Sequence, residues 1–180
     1  IIGRRNQEIV GADFARLRAH AEELARSRLG RDVGLEDIYS EFASLTGKQV
    51  NEVGHLCALE EHIELHLVSP RPECIDLFNH AIRSGKRVVL VSDMFLPRRV
   101  VEKMLSENGI TGYHALYLSS DIGVRKDTGE LYRLLLEREQ ITSGELLMVG
   151  DNEHSDVQVP MNLGIQSCHV LRPVEIARAL

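Results

Sequence analysis

Asp151 and Asp156 stand five positions apart directly after an apolar run, Leu146-Leu147-Met148-Val149-Gly150. Such a run reads as a buried strand, and two carboxylates at its end cost desolvation unless a cation or hydrogen bonds offset it. Carboxylate oxygens are the donors that Mg²⁺ takes, so the pattern points to Mg²⁺ and phosphate chemistry. Two further polar groups sit in comparable places. Ser92 and Asp93 close the run Val88-Val89-Leu90-Val91, and Lys126 follows Gly123-Val124-Arg125 ahead of a helix that begins near Glu130. A hydroxyl, a lysine and an acidic pair in this order form a phosphate-binding constellation. Each member also has a plainer reading. Ser92 and Asp93 could start a turn and cap the next helix, Lys126 could be a surface lysine, Asp156 could be a helix N-cap, and Asp151 could accept loop amides. Their joint order is what favours the chemical reading.

The elements that would position these groups fall into two textures. From Asp13 to about Gly85 the spacing is helical. Phe14, Leu17, Ala21 and Leu24 make a first stripe ending at Gly30, and Leu35, Ile38, Phe42 and Leu45 a second ending at Gly47. Val53, Leu56, Leu59, Ile63 and Leu67 predict a third helix, broken by Pro70 and Pro72. Cys74, Leu77, Phe78, Ala81 and Ile82 predict a fourth, with Gly85 as its C′ residue. After Gly85 strands and helices alternate: strands at 87–91, 115–118, 146–149 and 165–171, helices at 97–108, 130–138 and 156–163. The first of these strands, 87–91, is β-branched and apolar without alternation, as expected for a parallel strand buried on both faces. The expectation is an α/β fold, a doubly wound parallel sheet (residues 85–180), preceded by a helical subdomain (residues 1–84). Ligands bind at the carboxyl ends of such strands, where Ser92 and Asp151 lie.

Composition bounds the rest. The formal charge of -6, from 27 acidic and 21 basic side chains, leaves no broad basic face for nucleic acid or anionic lipid. No apolar run approaches the roughly 20 residues of a membrane span, so no membrane insertion is expected. Cys57, Cys74 and Cys168 are odd in number and widely spaced, which fits neither a disulfide framework nor a zinc site and suits a reducing cytoplasm. The opening Ile1-Ile2-Gly3-Arg4-Arg5 lacks a signal-peptide core and reads as mid-domain sequence. His62-Ile63-Glu64-Leu65-His66 places two histidines at i and i+4, but its glutamate is in the third position and no third ligand follows, so it reads as a solvated face. Gly47-Lys48 lacks the preceding glycine of a P-loop.

The series of an apolar strand ending Ser92-Asp93, Lys126 before a Leu-Tyr helix, and an apolar strand ending Gly150-Asp151 with Asp156 resembles motifs two, three and four of the haloacid dehalogenase (HAD) superfamily. The resemblance covers about the last hundred residues. The helical half is similar to the cap such proteins insert between motifs one and two. Ser92-Asp93-Met94-Phe95-Leu96-Pro97, Ser119-Ser120-Asp121 and Gly150-Asp151-Asn152 are similar to HAD domains attached to bacterial glycosyltransferases and surface-polysaccharide proteins. A glycosyltransferase domain in the same protein is therefore the partner this narrower likeness implies. The resemblance implies an HAD-like, Rossmann-like fold and a Mg²⁺-dependent phosphohydrolase for a small phosphorylated metabolite or sugar. A nucleophilic aspartate would attack phosphorus, and a second aspartate two residues on would protonate the leaving oxygen. Ser92 would donate to a phosphoryl oxygen, and Lys126 would neutralise charge on nucleophile and phosphoryl group. Asp151 would bind Mg²⁺ directly, with Asp156 acting from behind the direct ligands or through water; Asp93 and Asn152 could touch substrate, although loop polarity explains Asn152 equally well.

One part of the family pattern is missing. An apolar strand ending in Asp-x-Asp occurs nowhere in the chain: Asp13, Asp32, Asp37 and Asp76 lie in helical or loop contexts without a partner two residues on. That motif supplies nucleophile and acid/base, so these 180 residues should not turn over by themselves. In the family the missing strand lies between the Ser92 and Leu146 strands, which would otherwise stand roughly 9.6 Å apart, twice the usual spacing. The expectation is an upstream segment ending just before Ile1, in preference to another chain filling the gap or the two strands closing together. The alternative is a non-catalytic module that positions a partner enzyme. A two-component receiver is disfavoured because there the lysine follows the last catalytic strand.

Overall fold

The computed structural model describes residues 11–179. The reading of Ile1–Arg5 as mid-domain sequence falls outside the described residues. Four helices come first: α1 (Gly11–Leu29), α2 (Leu35–Thr46), α3 (Val50–Leu67) and α4 (Pro72–Arg83). They are followed by β1 (Val89–Ser92), α5 (Arg98–Glu107), β2 (Ala115–Leu118), a single turn α6 (Ser119–Ile122) and α7 (Glu130–Glu139). A 3₁₀ turn (Ser143–Glu145) leads to β3 (Leu147–Gly150), then a π-helical turn (Glu153–Gln158), α8 (Val159–Asn162), β4 (Gln166–His169) and α9 (Pro173–Ala179). The fold is α/β and HAD-like, with short parallel strands and a helical cap.

The strands form two parallel pairs. β1 pairs with β2 in the register Val89↔Ala115 to Ser92↔Leu118, and β3 with β4 in the register Leu147↔Gln166 to Gly150↔His169. Among the described residues β1 and β3 each have one strand partner. This shapes their burial: all four residues of β1 are only partly buried, and Leu147 in β3 is 57% exposed. The expectation that the first strand is buried on both faces is corrected here: every residue of β1 is only partly buried, and among the described residues it has a strand neighbour on one edge.

The chain forms two compact units, Ile1–Gly123 and Val124–Leu180. In the first, α1, α2 and α3 pack around Ala21, Ala25, Val33, Ile38, Phe42 and Val53, all fully buried. Leu96, Val100, Met104 and Leu118, from the β1–α5–β2 segment, belong to the same core. Packing thus cuts the chain at Gly123, whereas the change from all-helical to strand–helix texture falls near residue 85. The α1 stripe is centred on Ala21 and Ala25, small residues that allow close helix approach, while Phe14 and Leu17 lie at its margin. Pro72 sits at the start of α4, where its missing N–H costs nothing. α4 carries the expected apolar stripe, yet none of its residues is buried.

In the second unit the core is Leu131, Tyr132, Leu135, Met148, Val159 and Ile165. The helix expected over 156–163 is shorter and starts differently. Asn152 caps the π-helical turn, its side chain accepting from the backbone of His154 and Ser155, and regular α geometry begins only at Val159, just before Pro160.

Candidate active site

The groups with chemistry gather in the second unit at the carboxyl end of β3. Lys126 lies in a tight turn into α7, closed by Gly129 N–H donating to the Lys126 carbonyl at 2.9 Å and Leu131 N–H donating to the Arg125 carbonyl at 3.2 Å. Gly129 takes φ +77, a left-handed conformation that a side chain would strain. The turn drives the lysine inward, and its Nζ donates to Asp156 Oδ1 at 2.6 Å with both residues buried.

Asp156 is held at every oxygen. Oδ2 accepts from Asn152 N–H at 3.1 Å, and Ser155 Oγ donates to Oδ1 at 3.3 Å. The Asp156 N–H in turn donates to the Asn152 carbonyl at 2.8 Å. Gly150 is required by proximity: a Cβ there would lie 2.3 Å from Asp156 Oδ2. The glycine that ends the strand therefore opens the space the buried carboxylate fills. Asp156 is neither the N-cap nor a bare ligand in this arrangement; it is the counter-ion of Lys126.

Asp151 is placed differently. Its side chain is 45% exposed, and Oδ2 accepts from Arg172 Nε at 3.2 Å. Its carbonyl meets His169 Nε2 at 3.2 Å. Among the described residues no cluster of three His, Cys, Asp or Glu side chains could hold a metal ion. Mg²⁺ uses few protein carboxylates and retains several waters. A single accessible carboxylate at a strand end fits that habit, so Asp151 would hold the ion, with Asp156 committed to Lys126 beside it.

In the first unit Ser92 ends β1 and Asp93 opens the loop that follows, both partly buried. That loop is tied down by Ser119, which the sequence marks as a motif residue without a role, and by Arg18, which it does not single out. Met94 N–H donates to Ser119 Oγ at 3.0 Å, with Ser119 fully buried. The Arg18 guanidinium lies 4.5 Å over the Phe95 ring. Beside the loop is a cleft of about 480 Å³ whose walls include Arg31, Asp37, Phe95, Arg98, Ser120 and Asp121. Arg98 Nε donates to Asp121 Oδ2 at 2.8 Å.

Arg18 belongs to a network across the three cap helices. Its Nε and Nη2 donate to Glu60 Oε1 at 3.2 and 2.9 Å, and Tyr39 Oη donates to Glu60 Oε2 at 2.6 Å. Glu22 bridges Arg18 to Arg26, which also donates to Asp32 Oδ1 at 2.8 Å. Burial disfavours the Arg18 charge, but Glu60 and Glu22 outweigh it and its pKa is raised. Burial, then the bond to Glu60, raises the Tyr39 phenol. Burial, then the nearby Glu61 and Glu60, pushes the Cys57 thiol from its ordinary 9.0 up to about 11. His62 and His66 are exposed on α3 with ring centroids 4.1 Å apart, and His66 Nδ1 meets the His62 carbonyl at 2.6 Å, a local helix contact.

Parallel strand pairs ending in polar turns, a glycine-gated Lys–Asp pair and a helical cap define an HAD-like α/β protein. The chain belongs to the haloacid dehalogenase-like hydrolases, whose family model matches residues 3–162. It is similar to pyrimidine 5'-nucleotidase YjjG of Escherichia coli (strain K12), at 28% identity over 104 residues, covering 57% of this chain and 45% of that protein. The chain thus spans about half the length of the curated relative it matches. Among solved structures, L-2-haloacid dehalogenase from Xanthobacter autotrophicus superposes with a TM-score of 0.61 at 17% identity, over 91% of this chain and 66% of that one. An HAD family enzyme from Bacteroides thetaiotaomicron, in complex with magnesium and inorganic phosphate, superposes with a TM-score of 0.54 at 17% identity, over 76% of this chain and 69% of that one.

Proposed function

We propose that this chain is the cap-bearing part of a Mg²⁺-dependent phosphohydrolase for a small phosphorylated metabolite or sugar. The observation that carries the reading is the buried Lys126–Asp156 pair, with Asp156 in the turn that follows β3 and the Asp151 carboxylate, 45% exposed, at the end of the same strand. Lys126, fixed by Asp156, supplies a point charge that can serve two anions, a phosphoryl oxygen and a carboxylate nucleophile. Ser92 donates its hydroxyl to a second phosphoryl oxygen. Asp151 is the carboxylate for Mg²⁺, which supplies charge neutralisation for the phosphoryl group when bound. The nucleophile and the acid/base come from a segment outside these 180 residues. The nucleophile forms a bond to phosphorus as the ester oxygen leaves with a proton, and water then hydrolyses the aspartyl phosphate.

The E. coli relative supports a phosphate monoester, and the Bacteroides enzyme's magnesium and phosphate support the cofactor. A cytoplasmic setting, on the cysteine usage, and an attached glycosyltransferase, on the motif likeness, remain part of the proposal. The test is hydrolysis of an aryl phosphate by the full-length protein with Mg²⁺. Asp151→Asn and Lys126→Ala should each lower kcat by about 10²-fold or more. Unchanged activity in both variants overturns the assignment.

A further inference from the structure

We infer that Tyr132 is a positioning residue for the Lys126–Asp156 pair, acting through the carbonyl of Ser155; this rests on the phosphohydrolase reading only for its effect on turnover. Tyr132 is fully buried, and its hydroxyl donates to the Ser155 carbonyl at 2.7 Å. That carbonyl lies within the π-helical turn Glu153–Gln158, one residue before Asp156. The π geometry is rare and recurs at functional positions because its wider ring re-aims one side chain. Something must hold such a turn against relaxation to regular helix. Asn152 fixes its start by accepting from His154 N–H at 3.1 Å and Ser155 N–H at 3.0 Å. Tyr132 fixes its middle from the opposite side of the peptide.

The same helix controls the other partner. Six residues before Tyr132, Lys126 is locked onto the start of α7 by the Gly129 and Leu131 backbone bonds. One rigid element therefore sets both ends of a 2.6 Å contact, the lysine through its turn and the aspartate through the Ser155 peptide. A phenylalanine at 132 would fill the core equally well, so the hydroxyl is the part that packing does not explain. Its loss leaves a buried carbonyl without this donor and frees the turn to rotate Asp156 away from Lys126.

The experiment compares wild-type full-length protein, Tyr132→Phe, and Tyr132→4-aminophenylalanine, which restores a donor at the same ring position. Three readouts are taken: kcat and KM for an aryl phosphate with Mg²⁺, the ¹⁵N signal of the Lys126 ammonium, and the melting temperature. The expected result is a kcat about tenfold lower in Tyr132→Phe, a fall typical of one lost hydrogen bond. Its KM should change little, its Lys126 ammonium protons should exchange faster with water, and the aminophenylalanine should restore both kcat and the signal. Unchanged kcat and an unchanged ammonium signal in a folded Tyr132→Phe protein overturn the inference. So does a loss that the restored donor fails to rescue, because ring packing alone would then account for it. If the wild type hydrolyses no phosphate ester, the proposed function fails, and the ammonium signal still decides the role of Tyr132. If Tyr132→Phe melts too early to assay, the aminophenylalanine protein supplies the same decision: wild-type kcat and signal support the hydrogen bond, and loss of either overturns it.

Discussion

Glu60 in the first unit and Asp156 in the second are both almost inaccessible carboxylates, 8% and 4% exposed, and each takes a cation and a hydroxyl. Glu60 receives the planar fork of Arg18 and the phenol of Tyr39, all from faces of long helices, in a core otherwise made of Ala21, Phe42 and Val53. Asp156 receives the point charge of Lys126 and the hydroxyl of Ser155, both from short turns, beside a strand end with an exposed carboxylate. Two guanidinium N–H groups of Arg18 converging on Glu60 Oε1 give fixed geometry, whereas the compact lysine can be shared with an incoming anion. Burial of a charge pair is thus no mark of function. What separates the two is where they sit: one cements helices, the other stands at the carboxyl end of a parallel strand.

The largest expected effect comes from Gly150→Ala. The new Cβ would fall 2.3 Å from Asp156 Oδ2, within a turn held by backbone bonds, so the carboxylate must leave. The buried Lys126 would then lose its Asp156 contact, at a cost of about 3–5 kcal/mol. Urea unfolding of the variant should show that loss together with loss of activity. A variant as stable as wild type would mean that the Lys126–Asp156 pair relaxes freely, and the distinction between the two networks would fall.

Next is a paired test on kcat and stability. Lys126→Ala should lower kcat by about 10²-fold or more. Glu60→Gln should leave kcat unchanged and cost about 2 kcal/mol, because it removes a charge from the Arg18 and Tyr39 bonds without opening space. Kinetics and denaturation on both proteins decide the matter. If Glu60→Gln lowers kcat as far as Lys126→Ala does, the cap network reaches the chemistry through Arg18 and Phe95, and the comparison has to be redrawn.

A smaller effect separates the two carboxylates of the strand end. Arg172→Gln removes the guanidinium 3.2 Å from Asp151, a half-exposed pair of the kind worth about 0–1 kcal/mol. Mg²⁺ binding, followed by calorimetry, should tighten by a few-fold at most. No change, or weaker binding, would show that Arg172 orients Asp151 instead of competing for it.

Much of this was legible in the sequence because it is local. Helix periodicity, the glycine stops, the order Ser92, Lys126, Asp151 and Asp156, and the family they resemble are all short-range patterns. The role of Tyr132 was hidden because a tyrosine on the apolar face of a helix carries the same signal as any core aromatic, and its hydroxyl partner lies 23 residues away. Arg18 and Glu60 are 42 residues apart and each reads as ordinary helix-surface charge until the helices are packed. Strand burial shows a related limit: the apolar run at 87–91 reports the composition of β1, while its burial depends on what packs around it.

The smallest effect tests the helical network through pH. The Cys57 thiol keeps its proton in the folded protein up to about 11, against an ordinary value of 9.0, because it is buried and faces Glu61 and Glu60. Tyr39 is raised for the same leading reason. Both groups are protonated and neutral below these values, so their contribution to stability is fully present there. As pH rises past 9.0 the unfolded chain releases the thiol proton first and binds fewer protons than the folded one, so stability falls with pH until the folded thiol ionises near 11. Urea midpoints measured across that interval should decline in the wild type and decline less steeply in Cys57→Ala. Tyr39→Phe should lose about 1 kcal/mol already at neutral pH through the Glu60 bond, and should flatten the alkaline decline above about pH 10. Parallel slopes in all three proteins would place the alkaline sensitivity outside the Arg18–Glu60–Tyr39 network, and that network would then be held by packing more than by its buried polar bonds.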